Sequence, residues 1–256
     1  IVGSPFFYIP TEFPEYMRPW LSDLAIERFT KTCGSTVKER LPDVWQDQVT
    51  QINAAIKALE DRDVKVHPVL EPTEDELHYL GEDQYLRLTM YPRDEITVIG
   101  NNYIETSLQN PGRRSTRWAI RRTMSERLEN SDAQIISMLE PPPTGEGTFL
   151  ESGDVFLLGR DILVGRSGNG SNEAGAKWLQ RFLGEEYRIH EIPLSNNFLH
   201  LDCVLCTPRP GLAMVCREAF PDGIPSFFKD WDLIDVSVED AEQRQGCNHL
   251  VVDEKT

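Results

Sequence analysis

The chain has 256 residues, 39% of them hydrophobic, enough for one large core or two small ones. It carries 42 acidic and 26 basic residues, a formal net charge of −16, and a field of that sign repels nucleic acid and anionic lipid while favouring small cationic ligands. No run of about 18 apolar residues occurs, so no membrane-spanning helix is expected. The first residues show no signal-peptide pattern. They read Ile1-Val-Gly-Ser-Pro5, without a methionine, and further residues are expected upstream.

The segment to about residue 40 is dense in aromatics and prolines: Pro5, Phe6, Phe7, Tyr8 and Pro10, then Phe13, Pro14, Tyr16, Pro19 and Trp20. Aromatics at that density pack, so an ordered loop or arm is expected. Ile52, Ala55, Ile56 and Leu59 recur at helical spacing, and Asp61 to Asp63 should end that helix. Val64, Val66, Val69 and Leu70 read as a short strand with Pro68 at its margin. A buried strand follows at Ile96 to Gly100. A helix is expected from about Thr116 to Leu128, and the arginines at 113, 114, 117, 121 and 122 read as a solvated or salt-bridged face. Ala133 to Leu139 reads as a strand, and residues 141–147 as a loop rich in Pro and Gly.

A hairpin is expected next, Val155 to Leu158 and Ile162 to Gly165 around a Gly-Arg-Asp turn. Asn172 or Ser171 should cap a helix that runs to Leu183 and ends at Gly184. Strands are then expected at Tyr187 to Pro193, at His200 to Cys206 paired with Leu212 to Val215, at Leu233 to Val238, and at His249 to Val252. Strands spaced by helices argue an α/β fold.

Five cysteines without framework spacing suit a reducing compartment, and hence a cytoplasmic location. Cys203 and Cys206 form a C-x-x-C pair near His200 and Cys216. A zinc site would need a turn to wrap the metal, whereas Leu-Asp-Cys-Val-Leu-Cys is a β pattern, so these cysteines read as small buried hydrophobes. No metal and no cofactor are expected.

The richest stretch runs from Glu151 to Cys206: Glu-Ser-Gly-Asp-Val-Phe at 151–156, Gly-Arg-Asp-Ile at 159–162 and Phe-Leu-His-Leu-Asp-Cys at 198–203. Asp154, His200 and Asp202 each border an apolar run. A strand edge can hold a polar side chain still while it points into a cleft, which suits acid/base work on a small polar substrate. Singly, Asp154 reads as well as a turn cap, Asp94 as a strand end and His200 as a satisfied buried histidine.

As an ordered set these segments resemble a known family. Tyr91-Pro-Arg-Asp94, Ile96-Thr-Val-Ile-Gly-Asn101 with Glu105, the segments above and Asn248 to Lys255 together resemble the amidinotransferase branch of the guanidino-group-modifying superfamily, the penteins. They are similar to glycine amidinotransferase and its bacterial relatives, from roughly Asp63 to the end. The resemblance implies a five-bladed α/β propeller in a single domain over 1–256. It also implies that the last blade is incomplete and that the domain is truncated at both ends. It implies transfer of the amidino group of L-arginine to an amine acceptor through a cysteine-bound amidino intermediate. His200 is then the acid/base, Asp154 orients it, and Asp94 and Asp202 hold the guanidinium, all around one cleft. Carboxylates suit that cation, the leaving amine needs a proton, and the thiol must attack as a thiolate. The family nucleophile falls in a segment beyond Thr256, and Cys247 does not occupy its position. The expected partners are arginine and the amine, with no nucleic acid and no membrane; a homodimer is compatible with this. The acidic, amide-rich run from Glu239 to Gln245 replaces the family's small hydroxyl residues. Two alternatives remain: a guanidino hydrolase of deiminase or dihydrolase type, and a non-catalytic binder of guanidino compounds that lacks the nucleophile.

Overall fold

The computed structural model describes residues 1–4, 7–9, 12–13, 15, 18, 23–31, 33–71, 73–79, 87–88, 90–142 and 146–253. Much of the aromatic, proline-rich opening segment lies outside them. The chain forms two compact units, the first of residues 1–95, 100–105 and 110–136, the second of 96–99, 106–109 and 137–256.

In the first unit, β1 (Phe7–Ile9) is followed by α1 (Asp23–Thr30), β2 (Ser35–Thr36), α2 (Val37–Arg40), α3 (Pro42–Glu60), α4 (Glu74–Tyr79) and β3 (Arg87–Leu88). β2 and β3 flank β1, both antiparallel to it, with Tyr8 opposite Thr36 and Phe7 opposite Leu88. A reciprocal cap starts α2: Thr36 Oγ1 accepts the Glu39 amide at 3.3 Å and the Glu39 carboxylate accepts the Thr36 amide at 3.0 Å. Pro42 opens α3, where its missing N–H costs no hydrogen bond. The expected stripe on α3 is only half-buried at Ile52, Ile56 and Leu59, and Ala55 is exposed.

The strand expected at Val64 to Leu70 does not form. Val2 makes a lone parallel bridge to Pro68, with its amide on the His67 carbonyl and its carbonyl on the Val69 amide. Pro68 has no N–H with which to extend a ladder. β4 (Ile96–Ile99) belongs to the second unit, and β5 (Asn102–Glu105) returns to the first. A 3-10 turn at Pro111–Thr116 leads into α5 (Arg117–Glu129), and β6 (Gln134–Ser137) neighbours β5.

Of the arginines around α5, Arg113, Arg121 and Arg122 are salt-bridged. Arg113, Arg114 and Arg117 are buried, Arg113 ion-pairs with Asp94 and Glu95, and Arg121 Nε lies 2.6 Å from Glu105 Oε1. Acids brought from distant positions in the sequence make that burial tolerable, and helix spacing does not reveal them.

The second unit builds one pattern twice. β7 (Val155–Leu158) and β8 (Asp161–Arg166) form a hairpin, α6 (Glu173–Leu183) crosses over, and β9 (Arg188–Pro193) pairs parallel to β8. β10 (Leu205–Arg209) and β11 (Leu212–Val215) then form a hairpin, and β12 (Asp232–Asp235) pairs parallel to β11 before α7 (Val238–Arg244). Gly159 turns the first hairpin at φ +69 and Gly211 the second at φ +81, a left-handed conformation that glycine adopts without strain. Leu163, Ile192, Leu201, Val204, Leu205, Val215 and Phe228 form the shared core.

These elements make an α/β fold, and the described strands form separate three-stranded sheets without closing into one. His200 to Cys203 is not strand. His200 stands at the start of a 3-10 turn over Leu201–Cys203, and the ladder begins only at Leu205. The strand expected at His249 to Val252 is absent too, because the His249 amide turns back to the Cys247 carbonyl at 3.1 Å.

Gly175 in the first turn of α6 tests how tightly this unit packs. A Cβ there would lie 1.8 Å from the Phe149 carbonyl oxygen, which is backbone and cannot rotate away. In an open helix Gly→Ala gains about 1 kcal/mol. Here Gly175→Ala should instead destabilise by roughly 1–3 kcal/mol, read as a lower urea midpoint at unchanged slope.

Candidate active site

A short 3-10 turn at Ser152–Asp154, directly before β7, folds Glu151 and Asp154 towards His200. The Glu151 carboxylate bridges two segments: its Oε2 lies 2.8 Å from His200 Nε2, and its Oε1 accepts the Gln109 amide at 2.8 Å. Asp154 is fully buried and holds backbone. One oxygen accepts the Leu201 amide and the other the Ser171 amide, each at 2.9 Å. Ser171 closes the ring, its Oγ accepting the Glu151 amide at 2.8 Å. Gly170 allows the close approach, since a Cβ there would lie 2.9 Å from His200 Cδ2 and 3.0 Å from Asp154 Oδ2.

All four polar side chains here, Glu151, Asp154, His200 and Asp202, are buried. Burial pushes the Asp154 carboxyl up to about 7, outweighing the His200 charge and the two Ser171 hydrogen bonds, which pull it down. Asp202 lies beside Cys203, whose Sγ is 3.6 Å from Asp202 Oδ1. Burial first, and the Asp202 charge second, push that thiol up to about 12.

Of the four residues expected from sequence, Asp154, His200 and Asp202 lie in the second unit, while Asp94 lies in the first. Arg113 Nη1 donates to Asp94 Oδ2 at 2.7 Å, and both side chains are about nine-tenths buried. The next residue, Glu95, is buried as well, and burial pushes its carboxyl up to about 7. Glu151 stands in the Glu-Ser-Gly-Asp motif without an expected role, yet its carboxylate meets the imidazole. A signal was present, a second acid three residues before Asp154. Strand alternation hides it, because the turn that brings both carboxyls to His200 is 3-10 rather than extended.

The arrangement can hold an imidazole in fixed orientation beside a carboxylate and away from bulk water, which suits proton transfer to or from a bound ligand. No group of three or more His, Cys, Asp or Glu residues suited to a metal occurs among the described residues.

No protein-family profile matches the chain. It is 28% identical over 244 residues to an L-arginine:L-lysine amidinotransferase of Pseudomonas savastanoi pv. phaseolicola, covering 85% of this chain and 65% of that protein. It is 29% identical over 161 residues to a putative inosamine-phosphate amidinotransferase of Streptomyces griseus, covering 56% of this chain and 45% of that protein. The chain thus spans less than two thirds of either relative. Among solved structures, SxtG, an amidinotransferase from Microseira wollei, superposes with a TM-score of 0.67 at 25% identity, over 83% of this chain and 71% of that one.

The raised carboxyl of Asp154 gives stability a signed pH dependence. The group ionises near 3.8 when unfolded and near 7 when folded. Between those values the folded state keeps a proton that the unfolded state has released. The stabilisation is therefore complete below about pH 4, and it is lost as pH rises towards 7. Glu95 acts with the same sign between 4.5 and about 7. Unfolding free energies from urea titrations should fall across that window, and Asp154→Asn and Glu95→Gln should each flatten the fall.

Proposed function

Because the chain belongs to the pentein amidinotransferase superfamily, we propose that it serves to move the amidino group of L-arginine to an amine acceptor through a cysteine-bound amidino intermediate. The buried Glu151–His200 pair carries the reading, being an oriented acid/base of the kind that a leaving amine needs. A thiolate attacks the guanidino carbon, the C–N bond to ornithine breaks, and the imidazolium of His200 protonates the departing amine. The acceptor amine then attacks the amidino carbon, gives its proton to His200 and releases the thiolate. In this reading Asp94 and Asp202 hold the guanidinium, Glu151 orients the imidazole, and Asp154 fixes the backbone that carries it. In this reading the fold is a five-bladed α/β propeller in one domain.

In this reading the attacking thiolate is none of Cys33, Cys203, Cys206, Cys216 and Cys247. Burial pushes up the thiols of Cys33, Cys203, Cys216 and Cys247, the last to about 12, which is the opposite of what attack requires, and Cys206 is buried in β10.

Incubating the full-length protein with guanidino-labelled arginine, with and without amines, tests the reading. Ornithine and an amidinated amine, formed only when an acceptor is present, are expected. Citrulline formed without an amine would favour the hydrolase reading, and no consumption of arginine would overturn both. His200→Ala should cost on the order of 10²–10⁴ in rate with the fold retained. Cys247→Ser should keep most turnover, and its loss in a folded protein would mean that the nucleophile has been misplaced.

A further inference from the structure

The Asp94 carboxylate is held by a guanidinium of the protein itself. Arg113 Nη1 donates to Asp94 Oδ2 at 2.7 Å, while Nη2 donates to the Tyr91 carbonyl at 3.1 Å and meets Glu95 Oε1 at 3.4 Å. The Tyr91 ring lies 5.8 Å from the guanidinium carbon. Thr116 completes the cluster, its hydroxyl bonding both Glu95 Oε1 and the Arg113 carbonyl. Arg113 and Thr116 are three residues apart in one 3-10 turn, and at that spacing side chains eclipse. The Asn110 side chain caps the turn by accepting the Gly112 amide at 2.9 Å. Tyr103 lies close enough to feel the charges of Glu95, Glu105 and Arg121, and Arg121 is committed to Glu105.

Consecutive acids at 94 and 95 repel each other. One planar fork can serve both carboxylates and a backbone carbonyl at once in a fixed geometry, whereas an ammonium is a point charge with rotatable donors. The side chains of Asp94, Glu95 and Arg113 are 11%, 1% and 9% exposed, so little water is at hand to replace the fork.

We propose that Arg113 is the positioning residue of Asp94, presenting its carboxylate in the one orientation that a substrate guanidinium can pair with. This rests on the reading that Asp94 grips arginine. Arg113 does not itself touch the substrate and acts only through Asp94.

A double-mutant cycle read by arginine binding tests this. Isothermal titration calorimetry does not need turnover, so it separates grip from chemistry. The full-length wild type is compared with Asp94→Asn, Arg113→Gln, Arg113→Lys and the doubles of each Arg113 variant with Asp94→Asn, with urea midpoints recorded in parallel. Arg113→Gln is expected to weaken arginine about tenfold, Arg113→Lys to recover only part of that, and neither to weaken it further once Asp94→Asn is present. Unchanged affinity with a lowered urea midpoint would make Arg113 merely structural. Additive losses would mean that it contacts the ligand directly. Either result overturns the inference and leaves the functional reading standing. If Arg113→Gln fails to fold, Arg113→Lys decides alone, because wild-type affinity there would show that the fork is not needed. If the wild type does not bind arginine, the functional reading falls and the inference falls with it, at a different step.

Discussion

The second unit is organised around a buried carboxyl that cannot be left unpaired. Asp154 accepts one amide from Leu201 and one from Ser171, so a single side chain joins the turn before β7, the approach to α6 and the turn that carries His200. Burying a carboxyl without partners costs several kcal/mol. Moving one of these segments while the carboxyl stays buried would therefore leave it short of a partner. Glu151, three residues away on the same turn, can then meet the imidazole, since the backbone on both sides is already fixed.

Backbone restraint and side-chain contact divide the work between two acids. Glu151 directs a carboxylate oxygen at the ring, whereas the backbone clamp at Asp154 needs only acceptor oxygens. The carboxyl of Asp154 rises to about 7 and still accepts two amides, which a neutral acid can do. Gly170 and Gly175 complete the design by leaving out side chains where the approach to His200 and to the Phe149 carbonyl has no room for a Cβ.

The first unit treats charge in the same way with different residues. Arg113, Asp94 and Glu95 are all buried, and a guanidinium fork lies between the two acids. Removing either sign would strand the other in a medium of low dielectric. A surface with a net charge of −16 says nothing of this, since its solvated acids cost the fold little.

Much of the second unit was legible in the residues. Alternation and Gly-centred turns located both hairpins, and Asn172 and Gly184 bounded α6, because those signals are local and the structure keeps them. The superfamily was also readable, from the order of Pro-Arg-Asp, Gly-Asp-Val-Phe and Leu-His-Leu-Asp. Where local patterns misled, a long-range partner or a missing N–H was the reason: Pro68 halted a strand, and His200 entered a 3-10 turn instead of a ladder. By itself the sequence determined which acids and which histidine were available to a site. Only the tertiary structure decided that Glu151 meets the His200 ring while Asp154 clamps the backbone, and that Arg113 is a buried partner of Asp94 rather than a solvated face. Those choices depend on distances between segments 17 to 49 residues apart, and no local periodicity encodes such distances.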